Sequence, residues 1–511
     1  MSVGNRIIKN SGYLYARMAV TMFISLYTTR LVLSALGESE FGVYNVVGGA
    51  IGMLGFLNAA MATATQRFMS YTEGTGDTER VKTIFNVSIL IHSGLSLIAL
   101  VVLMVAGYFL FKHILNIPTQ NVYSAKIVYA CMSASTAISV LAVPYEAVLN
   151  AHENMRYYAI VGFIESLLKL LVAIIITNYS HDKLIAYGIL MAMIPFVTLI
   201  IMRIYCHRKY SECIIKPMEY ADKGVFKEML SFAGWNIFQI AASIITNSGL
   251  GIVINIFFGT IINAAQGISN TICGQLMALT NVLNKAINPI ITKTEGSNNR
   301  IKVIQLSITS TKASFFLTSV LGLPAIIIMP GLLEIWLREV PLYAIFFARC
   351  QMIISLCEQT TSGFTTAINA TGNIRKMSVW KSVFKISVLP ISYILFKFGY
   401  SVIFAYIFLV VIQGVFNGII VTMFCADYVL GFKLEDYIIK VFIPLIAGCA
   451  VVLIGGEILI RFFGSSLSST LLVGSVCVIL SIISFYLISL TAAEKKIITN
   501  ALWTVKSRII K

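Results

Sequence analysis

Two kinds of side chain in this sequence could do chemistry inside a membrane: isolated cations and ladders of amides. The first hydrophobic segment, Ser11 to Leu36, holds Arg17 and Arg30. It is long enough to cross a bilayer, which takes about 20 residues. Tyr13, Arg17, Thr21, Ser25 and Thr28 follow one another at helical spacing and share a face. A charge at membrane depth is costly, so such a face turns to a bundle interior or a wet cavity. Arg17 is therefore expected to face a water-filled cavity suited to an anion. The plain alternative is an arginine near the helix end making interhelical bonds. Arg30 points well away from Arg17 and can snorkel to the interface.

The amides lie further along. Asn236, Gln239, Ser243, Thr246 and Asn247 form one stripe; Asn263, Gln266, Asn270, Asn281, Asn284 and Asn288 form another. Amides donate and accept, which suits sugar hydroxyls. Interhelical hydrogen bonding, about 0.6 kcal/mol per pair in membranes, is the competing use. The acids within apolar segments are Glu146, Glu165, Glu358 and Glu457. Glu165 and Lys169 have the spacing of a helical ion pair, and Glu457 lies close to Arg461. Glu358, amid Gln351, Ser355, Gln359 and Thr361, is the candidate for ion coupling. Lys312, Arg349 and Lys385 are further intramembrane cations without an assigned role.

These residues are carried by an all-α integral membrane protein. Only 12% of the 511 residues are charged, about half the usual share in soluble domains, and the mean hydropathy is +0.86. Hydrophobic runs predict about fourteen helices, at roughly 11–36, 42–65, 83–111, 123–149, 157–178, 184–206, 231–258, 262–291, 303–329, 342–369, 377–396, 400–425, 437–460 and 467–490. The first run is too long for a cleaved signal peptide. The longest connection, His207 to Leu230, is charged and is expected to include an amphipathic piece near Val225 to Leu230. Cytosolic ends would carry about 25 Lys/Arg, among them Lys381, and the opposite side about 6. That asymmetry explains the net charge of +16 without nucleic acid and places both termini in the cytosol.

Five dispersed histidines (His92, His113, His152, His181 and His207) and nine scattered cysteines without a CxxC give no metal site, and no cofactor is expected. No acid/base constellation, nucleotide motif or large loop supports an enzyme.

The sequence also repeats. Ser11-Gly12-Tyr13 returns as Ala233-Gly234-Trp235, Gly37 as Gly259, and Tyr71-Thr72-Glu73-Gly74 as Lys293-Thr294-Glu295-Gly296, all at an offset of 222. Asn150, Asn154 and Arg156 return as Asn369, Asn373 and Arg375 at 219. A six-helix unit repeats in the same orientation, as in transporters whose halves are related by an axis along the membrane normal. The expected organisation is a lobe at 1–210, a cytosolic linker at 211–230, a lobe at 231–430, and two further helices with a tail at 431–511. Arg67 ends the second helix, and Lys285 corresponds to Thr63, one turn away, so both lie at similar depth.

At Arg30…Leu36-Gly37…Phe41-Gly42-Val43-Tyr44, Gln66-Arg67-Phe68 and Asn150-Ala151-His152-Glu153-Asn154-Met155-Arg156-Tyr157-Tyr158, the chain resembles the polysaccharide-export branch of the MOP superfamily. The resemblance covers roughly residues 1 to 430, and more loosely the last two helices. It implies a MATE-like fold of two six-helix lobes, with helices 1, 2, 7 and 8 around a central cavity. It also implies alternating access, and a Wzx-type function: moving undecaprenyl-pyrophosphate-linked oligosaccharide across the inner membrane for O-antigen or capsule synthesis. Arg17, Arg30, Arg67 and Lys285 would then meet the pyrophosphate, and Asn236, Gln239, Asn247, Asn270 and Asn281 the sugars. The implied partners are this lipid-linked substrate, membrane lipids and polysaccharide polymerase machinery, with the chain a monomer. A lipid II flippase and a MATE-type ion-coupled exporter remain alternatives. Cationic drugs need acids in the cavity, and the first helix has Arg17 instead.

Overall fold

The structure, a computed structural model, describes residues 3–52, 55–114, 117, 119–337, 340–464, 466–492, 494 and 495. The chain runs as α1 (residues 3–36), α2 (38–52 and Gly55–Thr75), α3 (Thr78–Phe109), α4 (Val122–Ala151), α5 (Met155–Thr177) and α6 (Lys183–Lys209). Then come α7 (223–258), α8 (260–296), α9 (Arg300–Ile327), α10 (Ala344–Gln359 and Ser362–Thr371) and α11 (Arg375–Lys397). The last three are α12 (Val402–Leu430), α13 (Leu434–Phe463) and α14 (Leu467–Ser484). Among the described residues, eleven continuous helices are long and apolar enough to span a membrane. One of these is the whole of α7–α8; dividing it, and adding α2 and α10, gives the fourteen expected.

Side-chain caps explain several boundaries. Asp77, Asn154, Asp182, Asn299 and Ser466 each accept a backbone N–H in the first turn that follows. Two helix pairs are joined differently, by a single glycine with no loop. Gly37 (φ 74°, ψ 170°) separates α1 from α2, and Gly259 (φ 80°, ψ −173°) separates α7 from α8. This backbone region is essentially closed to residues with a Cβ. The offset of 222 therefore relates two corners of one geometry.

The chain forms two compact units, residues 9–237 and residues 238–511 with 1–8. In the first, α4 packs against α2, α3 and α6. A core of Val32, Leu36, Val43, Val47, Leu103 and Ile176 gathers about the Gly37 corner. The second has the corresponding core about Gly259, with Ile254 and Ala265 in the places of Val32 and Val43. There α13 and α14, outside the repeat, pack against α9.

Three expectations change. The amphipathic piece near Val225 is the start of α7 itself; the separate short helix is Pro217–Tyr220. The tenth helix breaks at Thr360 and Thr361. Its second piece sits directly on the α9 backbone: a Cβ on Gly363 would collide with the Ser307 carbonyl, and the Gly363 N–H donates to Thr311 Oγ1 at 3.1 Å. The charged ends of α1, α2 and α8 continue as helix beyond the apolar runs.

The segment after α6 is anchored by polar contacts. Asn86, fully buried, donates to the Ile214 carbonyl and accepts the Lys216 N–H, both at 2.8 Å. His152 Nε2 hydrogen-bonds Glu212, its Nδ1 lies 3.4 Å from Glu73, and its ring stacks on Tyr210. Burial alone would raise the Glu212 pKa, but the hydrogen bonds from His152 and the backbone outweigh it and hold the carboxyl below its ordinary value. A lowered carboxyl pKa stabilises above the unfolded value of 4.5 and loses that contribution as pH falls through the native pKa. Protection of residues 210–216 from an acid-active protease is expected to fall below pH 4.5. Glu212→Gln should remove that pH dependence. His152→Ala should speed cleavage about tenfold at neutral pH, since it leaves a buried carboxylate short of a partner.

Candidate functional site

In the first unit, α1 turns its polar face toward α5 and α6. There Arg17, Thr21, Ser25 and Thr28 line a pocket of about 420 Å³ with Tyr44 of α2, Glu165 and Lys169 of α5, and Tyr187 of α6. Arg17 reaches this place because α5 presents Gly162, where any Cβ would collide with the guanidinium. The guanidinium also lies over the Tyr158 ring, 4.6 Å from its centroid. Glu165 accepts from Lys169 at 2.7 Å, the pair expected from the spacing. Among the described residues, two cations and one acid leave the pocket with one net positive charge. Thr21 spends its hydroxyl on the Arg17 carbonyl, 2.6 Å away. Thr28 is 9% exposed and its hydroxyl has no partner among the described residues, so a polar group faces the pocket unmet. This pocket belongs to α1, α2, α5 and α6, where helices 1, 2, 7 and 8 were expected to surround Arg17.

The second unit answers with a different arrangement of the same parts. Arg17 corresponds to Gln239 (offset 222) and Gly162 to Lys381 (offset 219). Gln239 Nε2 donates to Ser378 Oγ at 2.6 Å, and Lys385 donates to Ser243 Oγ at 2.9 Å. Lys381, in the second turn of α11, reaches Thr365 Oγ1 at 3.5 Å, with Lys385 and Glu358 in electrostatic range. So the contact of first and fifth helix holds a cation in both repeats, supplied by α1 as Arg17 in one and by α11 as Lys385 in the other. Sequence reasoning counted Lys381 among the cytosolic charges. The spacing Ser378, Lys381, Ser382, Lys385, one face of α11, was the signal that could have found it.

A second pocket, of about 570 Å³, lies between α7 and α8 beside the Gly259 corner. Asn247, Asn255, Asn263, Gln266 and Asn270 line it, with no charged residue among the described ones. Gly251 makes room: a Cβ there would stand 3.3 Å from both the Asn263 and Gln266 side-chain oxygens. Gln266 is 5% exposed and its Oε1 lacks a partner among the described residues. Asn270 accepts from Gln351 at 3.4 Å. Asn247 and Asn270 thus meet in one pocket, joined by Gln266 from the second stripe. Asn281 is exposed outside it, and Asn236 is buried with its Nδ2 unmet among the described residues.

The remaining candidates are dispersed. Rings surround the Arg67 guanidinium: Phe68 at 4.6 Å, Tyr71 at 4.7 Å and Phe232 at 5.6 Å. Lys285 is half-buried on α8, between Asn284, which accepts from Ser314, and Asn288, which accepts from Thr366. Arg30 is exposed near the end of α1 and does not line the Arg17 pocket. Lys312, only 3% exposed, is held by Glu494 at 3.1 Å beyond α14. Arg349 caps the carbonyls of Ile326 and Ile327. Glu457 and Arg461 form their local pair at 3.4 Å.

Residues 15–175 match the MatE family model. An outward-facing multidrug resistance MATE family transporter of the MOP superfamily superposes with a TM-score of 0.70 over 83% of this chain and 95% of its own, at 14% identity. The fold is that of the MATE transporters. A MATE protein in its bent conformation (TM-score 0.71, 13% identity) covers 84% of this chain and 98% of its own. A MOP superfamily transporter from Pyrococcus furiosus, described as having a binding pocket of reverse polarity, matches at 0.65 and 13% identity, over 85% of this chain and 100% of its own. No curated protein sequence matches the chain. Within the MATE fold, the Arg17 pocket lies in the first six-helix lobe and the amide pocket in the second.

Proposed function

We propose that this MATE-fold chain is a flippase for undecaprenyl-pyrophosphate-linked oligosaccharide, serving O-antigen or capsule synthesis at the bacterial inner membrane. The observation that carries this reading is the charge of the first-lobe pocket. Its acid is already bound to Lys169, and Arg17 leaves it positive. A cationic drug meets repulsion there. A pyrophosphate meets a guanidinium, whose fork matches phosphate oxygens bidentately. The uncharged amides of the second-lobe pocket suit the hydroxyls of a sugar.

In this reading both termini are cytosolic, as the lysine and arginine asymmetry requires. Arg67 receives the pyrophosphate in the first repeat, Arg17 holds it, and Arg30 marks the far end; Lys285 is the cation at matching depth in the second repeat. The lipid tail stays in the bilayer while alternating access carries the head across. The sequence has no ATP motif, so an ion gradient, the membrane potential or consumption of the product supplies the drive. Glu358, beside Lys381, is the coupling candidate.

An ion-coupled exporter of small molecules, like the multidrug relative, is the second reading, favoured by the shared fold. The Pyrococcus relative, whose pocket polarity is described as suggesting a different function, argues that pocket charge rather than fold decides between the two. Proteoliposomes containing the chain, a synthetic undecaprenyl-pyrophosphate oligosaccharide and a cationic dye test this directly. Flipping of the lipid without efflux of the dye is expected. Efflux of the dye alone would give the exporter reading the case.

A further inference from the structure

The groove between α3 and α4 joins an apolar trough to two lysines. It holds about 600 Å³ and is lined by Leu100, Met104 and Tyr108 of α3, by Lys126 and Ala130 of α4, and by Lys112 just past α3. Its floor is made by Gly107, which leaves Tyr129 room to cross: a Cβ there would stand 2.5 Å from the Tyr129 ring. The Tyr129 hydroxyl is satisfied by the Leu103 carbonyl at 2.7 Å. Lys112 lies over the Tyr108 ring at 5.4 Å and reaches its hydroxyl at 3.3 Å. Lys126 is exposed, with no ion pair or hydrogen bond among the described residues. Among the described residues, no acid lines the groove.

This end of α3 is on the side opposite the start of the chain, where the sequence places few cations. Two of those few converge on one groove. The fold alone does not require them, because the repeat has Glu334 and Ile345 in the corresponding positions. An ammonium at the edge of the hydrocarbon, without a protein anion, is matched by a lipid phosphate, and the trough beside it by an acyl chain.

We propose that this groove is a binding site for one anionic phospholipid, its phosphate between Lys112 and Lys126 and one acyl chain along Leu100, Met104 and Ala130. The site is separate from the Arg17 pocket and does not depend on what the chain transports.

The test uses the full chain in phosphatidylcholine vesicles doped with phosphatidylglycerol that carries a photoreactive diazirine on its acyl chain. Adducts are then mapped by mass spectrometry. Labelling of residues 100–133 should exceed that from a diazirine phosphatidylcholine roughly tenfold, and Lys112→Gln/Lys126→Gln should erase the excess. Ala130→Phe, which fills the trough from an exposed position, should lower labelling by both probes while thermal stability is kept. Equal labelling by the two probes, or unchanged labelling in the double variant, would overturn the proposal. So would loss of labelling on adding millimolar inorganic phosphate, since the site would then bind a free anion.

Discussion

Arg17→Gln is expected to cut flipping of the lipid pyrophosphate about 100-fold. The substitution places in the first repeat the residue that Gln239 already supplies in the second. It removes the positive excess of the pocket and leaves only the Glu165–Lys169 pair. A bidentate, charge-assisted contact to phosphate is worth about 3 kcal/mol, which sets the size of the loss. Arg17→Lys keeps the charge but not the fork, so a loss of about tenfold is expected. Normal flipping by Arg17→Gln would remove Arg17 from the mechanism.

The repeat supplies a stricter version of this experiment. In the second lobe the fifth helix of the repeat carries Lys381 at the position of Gly162, one turn before the Lys385 that reaches α7. Adding Gly162→Lys to Arg17→Gln transfers that arrangement into the first lobe. Flipping should recover to the Arg17→Lys level, because the charge returns to the same contact from the opposite helix. If both variants insert and unfold like the parent but the second shows no recovery, position on α1 matters and charge alone does not. Gly162→Ala probes the same contact without touching Arg17. Its Cβ must displace the guanidinium from Tyr158, and a loss close to that of Arg17→Gln follows if that pose is the working one.

What was legible beforehand follows from the physics of a bilayer. Helices in lipid satisfy their own backbone, so apolar runs and polar turns locate them from local sequence alone. The polar face of α1 was legible for the same reason. Its neighbours were not: Tyr158 and Gly162 are distant in sequence, and nothing local says that an arginine needs a glycine opposite. The ion pair of Lys312 with Glu494 spans 182 residues and is hidden in the same way. The break in α10 was missed because its cause is the close approach of Gly363 to the α9 backbone, a tertiary contact. Lys381 was missed for a local reason. It lies within two turns of the start of α11, where a lysine reads equally well as a cytosolic end.

The repeat also makes a prediction about stability in which the same change has opposite signs at two kinds of site. Gly37→Ala and Gly259→Ala are each expected to destabilise by about 1–3 kcal/mol, because both positions have a backbone conformation closed to a Cβ. Crowding is not the cause, since a Cβ at either position meets none of the described residues within 4 Å. The two corners belong to different compact units and share no core, so their effects should add. A combined loss of about 2–6 kcal/mol approaches the whole stability of many domains, and the double variant should not yield folded protein in detergent. Gly12 and Gly234 are repeat partners as well, but they sit in the helical parts of α1 and α7, exposed and with equal space around them. There alanine should stabilise by about 0.5–1 kcal/mol through helix propensity. Thermal unfolding of the four single variants separates the two cases. A drop at Gly12 or Gly234 would mean that those glycines serve a contact with lipid or partner, and tolerance at Gly37 and Gly259 would mean that the corners can be built another way.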